Sequence, residues 1–487
     1  MLAITDMEVS TVEQLVDTPG WQPPQSFRDA RLHMVGIGGS GMSGLAAVLL
    51  RRGARVSGTD RQSSARLDHL ARCGARVSTT QDAGAVPPDV QTLVISAAIR
   101  PDHPEVVEAR RRKIPVIKYA RLLGALMAQH DGIAVAGTHG KSTTTAWLAF
   151  TLRSAGCDPS FVVGAEVGQL GGGSGVGDGP HFLAEACEYD RSFLNLRPRA
   201  AVILNIDEDH LDCYRDLAAI TEAFAEFARL LPSDGLLLLN GDDANSRPIA
   251  AAAAARVETF GLGPACHWRA TDLRIERGCH GAAFFEDDRA LGRVRLGLPG
   301  RHNVLNALAV TALARHAGVR WPQIAEALAG FRGARRRLEV RGTFAGVTIV
   351  DDYAHHPAEI QATLRAARER FEPRRLWCVF QPHQHSRTRF LLSDFAQSFA
   401  LADRIVVPRI YFVRDSQRER QAICAADLVE HIRAAGGAAE HIPDFATIAD
   451  TLLASAEPGD LVMTMGAGDI WKVADELVQR LGNNRPH

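Results

Sequence analysis

At 487 residues the chain exceeds what a single hydrophobic core holds comfortably, so two or three domains are expected. A net charge of -1 offers no broadly basic surface and argues against nucleic acid as a partner. Eight scattered cysteines with no C-x-x-C pair, no signal-peptide pattern and no membrane-length apolar run together point to a cytosolic protein with reduced thiols.

Residues 1–28, closing on "GWQPPQS", read as a loosely ordered extension. From Arg31, "RLHMVGIGGSGMSGLAAVLLRRGARVSGTD" gives a strand, a glycine turn, a helix stopped at Gly53 and a second strand ending at Asp60. "GARVS", "TLVISAA" and "PVIKY" continue the alternation, which implies a parallel, doubly wound sheet. A second α/β run opens at "GIAVAGTHGKSTTTAWLAFTLRSAG" and continues through "HFLAEACEYD", "AAVILNIDEDH" and "GLLLLNGDD". Within it, the glycine-dense "GGGSGVGDGP", 171–180, reads as a hairpin or surface loop. After "FRGARRRLEVRGTFAGV" comes a third run, "VTIVDDYAHHP", "LWCVFQP", "RIVVPRI" and "DLVMTMGAGD". The expected architecture is α/β, with three Rossmann-like domains in series over 29–128, 129–330 and 331–487.

The chemistry gathers at strand ends. "GTHGKS", Gly137 to Ser142, is a phosphate loop two residues shorter than G-x-x-x-x-G-K-[ST], with Val135 where the first glycine belongs. A glycine turn opening a helix presents N–H groups and a positive helix end to an anion. Lys141 adds a cation and Ser142 a hydroxyl suited to Mg²⁺. The alternative, an ordinary turn with a surface lysine, is weakened by composition: only Lys113, Lys118, Lys141 and Lys472 are lysines among 55 basic residues. A second turn, Gly36-x-Gly38-x-x-Gly41 with Asp60 ending the next strand, has the form of a dinucleotide fingerprint, although any nucleotide diphosphate can use it. "EACEYD" and "NIDEDHLDCY" place Glu185, Glu188, Asp190, Asp207, Glu208, Asp209, His210 and Asp212 near strand ends. A solvated loop is the commoner fate of such clusters, but strand ends of open α/β sheets are where ligands sit, so oxygen ligands for Mg²⁺ are favoured. Asn303 and Asn306 share one face of a helix start, and on the residues alone capping is favoured over base recognition. Arg335 to Arg337 form either a solvated face or a phosphate clamp. Asp351, Asp352, Tyr353, His355, His356, His383, His385, Arg387 and Arg389 follow strands of the third run; zinc is disfavoured there because His355 and His356 are adjacent and no cysteine is nearby.

The motifs "GIGGSGMSG", "GTHGKSTTTA", "DEDHLDCY", "GRHNVLNALA", "VDDYAHHP" and "QPHQHSRTR", in this order from about Arg31 to near the C-terminus, resemble the Mur ligases, ATP-dependent amide ligases of peptidoglycan precursor synthesis. The short loop is that family's own form. The resemblance implies a UDP-sugar-binding domain, a central P-loop ATPase-type domain and a C-terminal amino-acid-side domain. It is nearest to the branch that adds L-alanine to the lactyl carboxylate of UDP-N-acetylmuramate through an acyl phosphate, as a monomer or homodimer without membrane insertion. It implies that Gly36, Gly38, Gly39, Ser40, Gly41, Met42, Ser43 and Asp60 hold the UDP part, so that an NAD reading is set aside. Gly137, Thr138, His139, Gly140, Lys141, Ser142 and Thr143 then take the ATP phosphates. Ser142, Glu188 and His210 are the implied magnesium ligands, Asn303 and Asn306 contact adenine, Arg337 the phosphates and Asp352 the ribose. Lys141, Glu188, His210 and Arg337 form the implied catalytic set. Tyr353, His355, His383, Arg387 and Arg389 lie on the amino-acid side. Two features depart from the family pattern: Cys187 and Tyr189 replace an aspartate and a serine beside Glu188, and the absence of lysine between Lys141 and Lys472 excludes the carbamylated lysine of several sister ligases. The rival branch joins a whole tripeptide to the same sugar nucleotide. A dehydrogenase would leave Lys141, Glu188 and His210 idle, and a non-catalytic sensor would be expected to have lost Lys141 or Glu188.

Overall fold

The strands β1 (Arg31–Val35) and β4 (Thr92–Ile95) bury almost every residue, as strands covered by helices on both faces do. With β2 (Arg55–Thr59), β3 (Arg76–Ser78) and β5 (Val116–Lys118) they form a parallel sheet of order β3-β2-β1-β4-β5. The strand order reverses between β1 and β4, and the crevice beyond their C-terminal ends is where such sheets bind ligands. The computed structural model describes residues 17–96, 98–209, 213–413 and 415–483. Its contacts divide the chain into two units, Met1–Ile206 with Thr221–Glu258 and Leu313–Val319, and Asp207–Ile220 with Thr259–Ala312 and Arg320–His487.

The first unit also carries β6 (Asp131–Ala136), β7 (Ser160–Val162), β8 (Ser174–Gly175), β9 (His181–Ala186), β10 (Ala200–Ile203) and β11 (Leu236–Asn240), in the order β11-β10-β6-β9-β7-β8. All are parallel except β8, the antiparallel return that the glycine-dense stretch makes against β7. The two sheets of this unit meet through the helix Tyr119–Met127, which packs on the 3-10 segment Tyr189–Asn195. That packing requires Gly124, because a Cβ there would lie 1.9 Å from the Asn195 carbonyl oxygen.

In the second unit, β13 (Trp268–Glu276), β14 (Cys279–Glu286) and β15 (Arg289–Arg295) form an antiparallel meander, and the end of β12 (Arg256–Gly261) pairs parallel with β13. The sequence reading passes over this meander. Its alternation is blurred by a register shift between Thr271 and Arg274, and its tight turn is carried by Arg277 in a left-handed conformation (φ 52°) beside Gly278. A second sheet, β16-β17-β21-β18-β19-β20, joins β16 (Glu339–Phe344), β17 (Val347–Asp352), β18 (Leu376–Phe380), β19 (Arg404–Val407), β20 (Ala439–His441) and β21 (Leu461–Met465). Only β16 runs antiparallel. Separate apolar clusters cover its two faces, one around Phe380, Phe395 and Phe399 and the other around Trp377, Ile448 and Leu477. Among the described residues no helix is long and apolar enough to cross a membrane.

Gly124→Ala is expected to lower stability by about 1–3 kcal/mol, the usual cost of overpacking. Thermal unfolding would show it as a lower midpoint, whereas an unchanged midpoint would mean that the helix can move off Asn195 freely.

Candidate active site

The phosphate loop leaves β6 at Ala136 and turns through Gly137 (φ 131°) and Gly140 (φ 85°), conformations that side-chain-bearing residues rarely adopt. Gly140 caps the helix Lys141–Ser154 without a side-chain hydrogen bond, so no side chain occupies its first-turn N–H groups. Asn205, two residues beyond β10, pins the loop on three sides. It accepts from His139 N at 2.8 Å, donates to His139 O at 3.1 Å, and its carbonyl receives Thr138 N at 3.0 Å. Lys141 Nζ donates to Gly137 O (2.6 Å), Thr138 O (2.9 Å) and Glu188 Oε1 (3.0 Å). Glu188 is only 2% exposed. Burial depresses the Lys141 pKa, but Glu188 and its neighbours outweigh that and raise it, so the ammonium is retained. Ser142 Oγ donates to Glu185 Oε2 at 3.0 Å, and Gly164 N donates to the other Glu185 oxygen. A hydroxyl and two carboxylates, all hard oxygen donors, thus stand at the mouth of an anion-binding loop, a set that fits Mg²⁺ beside a triphosphate.

At the first glycine turn, Gly36 N and Ile37 N donate to Thr59 O, and Asp60 Oδ2 accepts from Gly38 N at 2.9 Å. One Asp60 oxygen therefore shapes the turn. Gly39 caps the helix Ser40–Arg51, again without a side-chain cap. Met42 is buried in the core at 3% exposure, and Ser43 Oγ bonds back to Ser40 O. Among these residues the anion-binding capacity lies in main-chain N–H groups and the exposed Ser40 hydroxyl.

The second unit holds the other candidates. Asn303 is the third residue of the helix Arg301–His316, not its cap: its amide donates to Pro299 O at 2.7 Å, and Asn306 donates to Asn303 Oδ1 at 3.0 Å. The capping reading is thereby corrected. Within the arginine run, Arg336 is committed to Asp351 (2.9 Å) and to the carbonyls of Gly466 and Gly468. Arg337 stacks on Tyr353 at 5.0 Å and makes no side-chain hydrogen bond within the described residues. Asp352 accepts from Leu338 N (2.6 Å) and Ala354 N (2.7 Å), yet burial pushes its pKa up to about 6 despite Arg337 and these donors. His355 Nδ1 lies 3.1 Å from Tyr353 O, and burial drives its pKa down to about 4, with Glu359 opposing. His355 meets His383 edge-on at 5.9 Å, and His383 stacks on Tyr411 at 5.5 Å. Arg387 is buried and paired with Asp209 at 2.7 Å, while Arg389 is exposed and covers Phe390. His210 and Asp212 lie outside the described residues.

Asn205 was not among the residues the sequence reading assigned to the site, and Glu185 entered only as one of the acidic residues near strand ends, outside the implied magnesium set. Glu185 is set apart only by lying on β9 two residues before Cys187; Asn205 has the weaker signal of an amide ending an apolar strand. Cys187 is exposed between the two glutamates.

Residues 31–131 match the Mur ligase family catalytic domain, 135–314 the Mur ligase middle domain and 336–468 the Mur ligase glutamate ligase domain. The chain belongs to the Mur ligase family. It is 41% identical over 451 residues, 92% of this chain and 97% of the relative, to the UDP-N-acetylmuramate-L-alanine ligase of Caldanaerobacter subterraneus. It is 42% identical over 457 residues, 93% of this chain and 98% of the relative, to that of Geobacter sulfurreducens. Among solved structures, the UDP-N-acetylmuramate-alanine ligase of Thermotoga maritima superimposes with a TM-score of 0.79 at 27% identity, covering 93% of this chain and 100% of that one. A murein peptide ligase from Psychrobacter arcticus gives 0.69 at 25% identity, covering 94% and 100%.

The contrast between the two arginines is testable by denaturant unfolding. Arg387→Ala removes one member of a buried ion pair and is expected to cost about 3–5 kcal/mol, against about 0.5 kcal/mol or less for the exposed Arg389→Ala. Equal losses would contradict the burial assignment.

Proposed function

We propose that the protein is an ATP-dependent ligase that joins L-alanine to the lactyl carboxylate of UDP-N-acetylmuramate in peptidoglycan precursor synthesis. The observation that carries this reading is 41–42% identity to alanine ligases along almost their whole length. The loop geometry agrees with it, since Lys141, Ser142, Glu185 and Glu188 supply the cation and oxygen donors that MgATP needs. UDP-N-acetylmuramate is an anion and L-alanine a zwitterion, both water-soluble, which suits action in the cytoplasm. The proposed organisation is 29–128 for the sugar nucleotide, 129–330 for ATP and 331–487 for the amino acid.

In the proposed reaction a lactyl carboxylate oxygen attacks the γ-phosphorus of ATP, the bond to ADP breaks, and an acyl phosphate forms. The alanine nitrogen then attacks the carbonyl carbon, phosphate leaves, and the amine gives up a proton. When bound, Mg²⁺ would offset part of the triphosphate charge and favour departure of ADP. Ser142 and Glu188, with His210, would hold it. Lys141 and the uncapped N–H groups of its helix offset the negative charge where two anions approach, and Arg337 offers a guanidinium not committed to the protein. Asn303 and Asn306 would read adenine, and Asp352 would accept from the ribose. The His355 Nδ1–H bond to Tyr353 O leaves Nε2 as an acceptor, and burial keeps the ring neutral, so it presents a lone pair rather than a charge to the amine.

Phosphate release with UDP-N-acetylmuramate, MgATP and one amino donor at a time tests the reading. Release is expected with L-alanine and should fall at least about 100-fold in Lys141→Ala. Release only with the tripeptide would move the protein to the peptide-recycling branch, and the absence of release with any donor, despite tight sugar-nucleotide binding, would remove the enzyme reading. A second expectation concerns pH. Asp352 has a raised pKa, so it is ionised above about 6 and takes up its proton below that. The KM for ATP should therefore rise as pH falls through about 6 in the wild type, relative to Asp352→Asn at the same pH. That ratio cancels the nucleotide's own ionisation, and a flat ratio would remove Asp352 from the ATP site.

A further inference from the structure

The crevice beyond β1 and β4 has a third wall. Tyr119 directly follows β5 and opens the helix Tyr119–Met127. A Cβ on Gly41 would lie 3.0 Å from both Cζ and Oη of Tyr119, so the phenol rests on the second residue of the helix Ser40–Arg51. Gly41 lies in the first turn, so the Tyr119 hydroxyl stands beside the turn whose N–H groups carry no side-chain cap.

Three further observations separate this tyrosine from ordinary packing. Its hydroxyl has no hydrogen-bond partner among the described residues, although buried or half-buried tyrosine hydroxyls usually find one. Burial, with Glu185 and Cys187 adding to it, raises its pKa, so it stays a neutral donor at any physiological pH. Its position is held from the other side: Lys118 Nζ pairs with Asp190 Oδ2 at 2.9 Å, and Gly124 fits under Asn195, which fixes the start of the helix that carries Tyr119.

We infer that Tyr119 is a substrate-binding residue that donates its phenolic hydrogen bond to the diphosphate of the sugar nucleotide. This rests on the proposal that the first glycine turn holds UDP-N-acetylmuramate. A diphosphate at the first turn of the helix Ser40–Arg51 receives N–H groups from below and the Tyr119 hydroxyl from the side. Of the turn's own side chains, Met42 is in the core and Ser43 Oγ is spent on Ser40 O, which leaves the exposed Ser40 hydroxyl as the donor beside Tyr119.

Tyr119→Phe keeps the ring on Gly41 and removes only the hydroxyl. Calorimetry with UDP and with UDP-N-acetylmuramate should show about 10-fold weaker binding of both ligands, the scale of one hydrogen bond to a charged group. The kcat, the KM for ATP, the KM for alanine and the thermal midpoint should stay within twofold or within error of the wild type. Wild-type affinity for both ligands would overturn the inference. So would a loss confined to UDP-N-acetylmuramate, which would put the hydroxyl on the sugar, or a joint fall of all constants with the midpoint, which would make the residue structural. If the wild type itself binds neither UDP nor UDP-N-acetylmuramate, the sugar-nucleotide reading fails, and the inference fails with it for a reason that the variant does not supply.

Discussion

The contact on which the candidate site depends most is the Lys141 ammonium held between two loop carbonyls and Glu188. A carboxylate 2% exposed is costly to desolvate unless it is paired and hydrogen-bonded. Here the pair also shapes the site: the carbonyls of Gly137 and Thr138 turn inward to meet the lysine, and the chain after β9 is drawn up to the loop. An ammonium has three donors on one tetrahedral atom and matches two carbonyls and a carboxylate at 2.6–3.0 Å. The planar fork of an arginine would not. That explains why a chain so dominated by arginine has lysine at this position.

The second constraint is the close fit of the helix Tyr119–Met127 on the segment Tyr189–Asn195. It joins the sheet that bears the first glycine turn to the sheet that bears the phosphate loop, inside one unit of the structure. The joint is made twice. Gly124 allows backbone to approach backbone, and Lys118 reaches Asp190, a residue in a left-handed conformation two positions after Glu188. The acidic segment is therefore braced from the first sheet as well as from the loop. Of the four lysines, Lys118 and Lys141 both serve this segment.

In the second unit the same kind of residue has opposite duties at neighbouring positions. Arg336 is consumed by Asp351 and two carbonyls near β21, which hold the chain entering β16 against the sheet. Arg337, one residue on, stacks on Tyr353, faces Asp352 electrostatically and makes no side-chain hydrogen bond among the described residues. Arg387 is folded into the protein by Asp209, whereas Arg389 stays on the surface. A ligand acting on this unit thus meets a sparser set of free cations than the arginine count suggests.

Much of the fold was legible because its signals are local. The glycine turns require particular backbone angles, apolar runs bounded by glycine mark parallel strands, and the scarcity of lysine singles out Lys141. The motif order was enough to place the chain in its family. The antiparallel meander was missed because a register shift and a left-handed arginine disguise the alternation of β13 and its turn. The sequence by itself determined where the anion-binding turns lie and which residue types surround them, since those follow from spacing along a few residues. Only the tertiary structure decided which polar groups are already committed: Asp60 to Gly38, Asn303 to Pro299, Arg336 to Asp351, Arg387 to Asp209, with Arg337 and the Tyr119 hydroxyl left over. The reason is physical. A buried polar group must find a partner, and that partner is set by strands and helices brought together from distant parts of the chain.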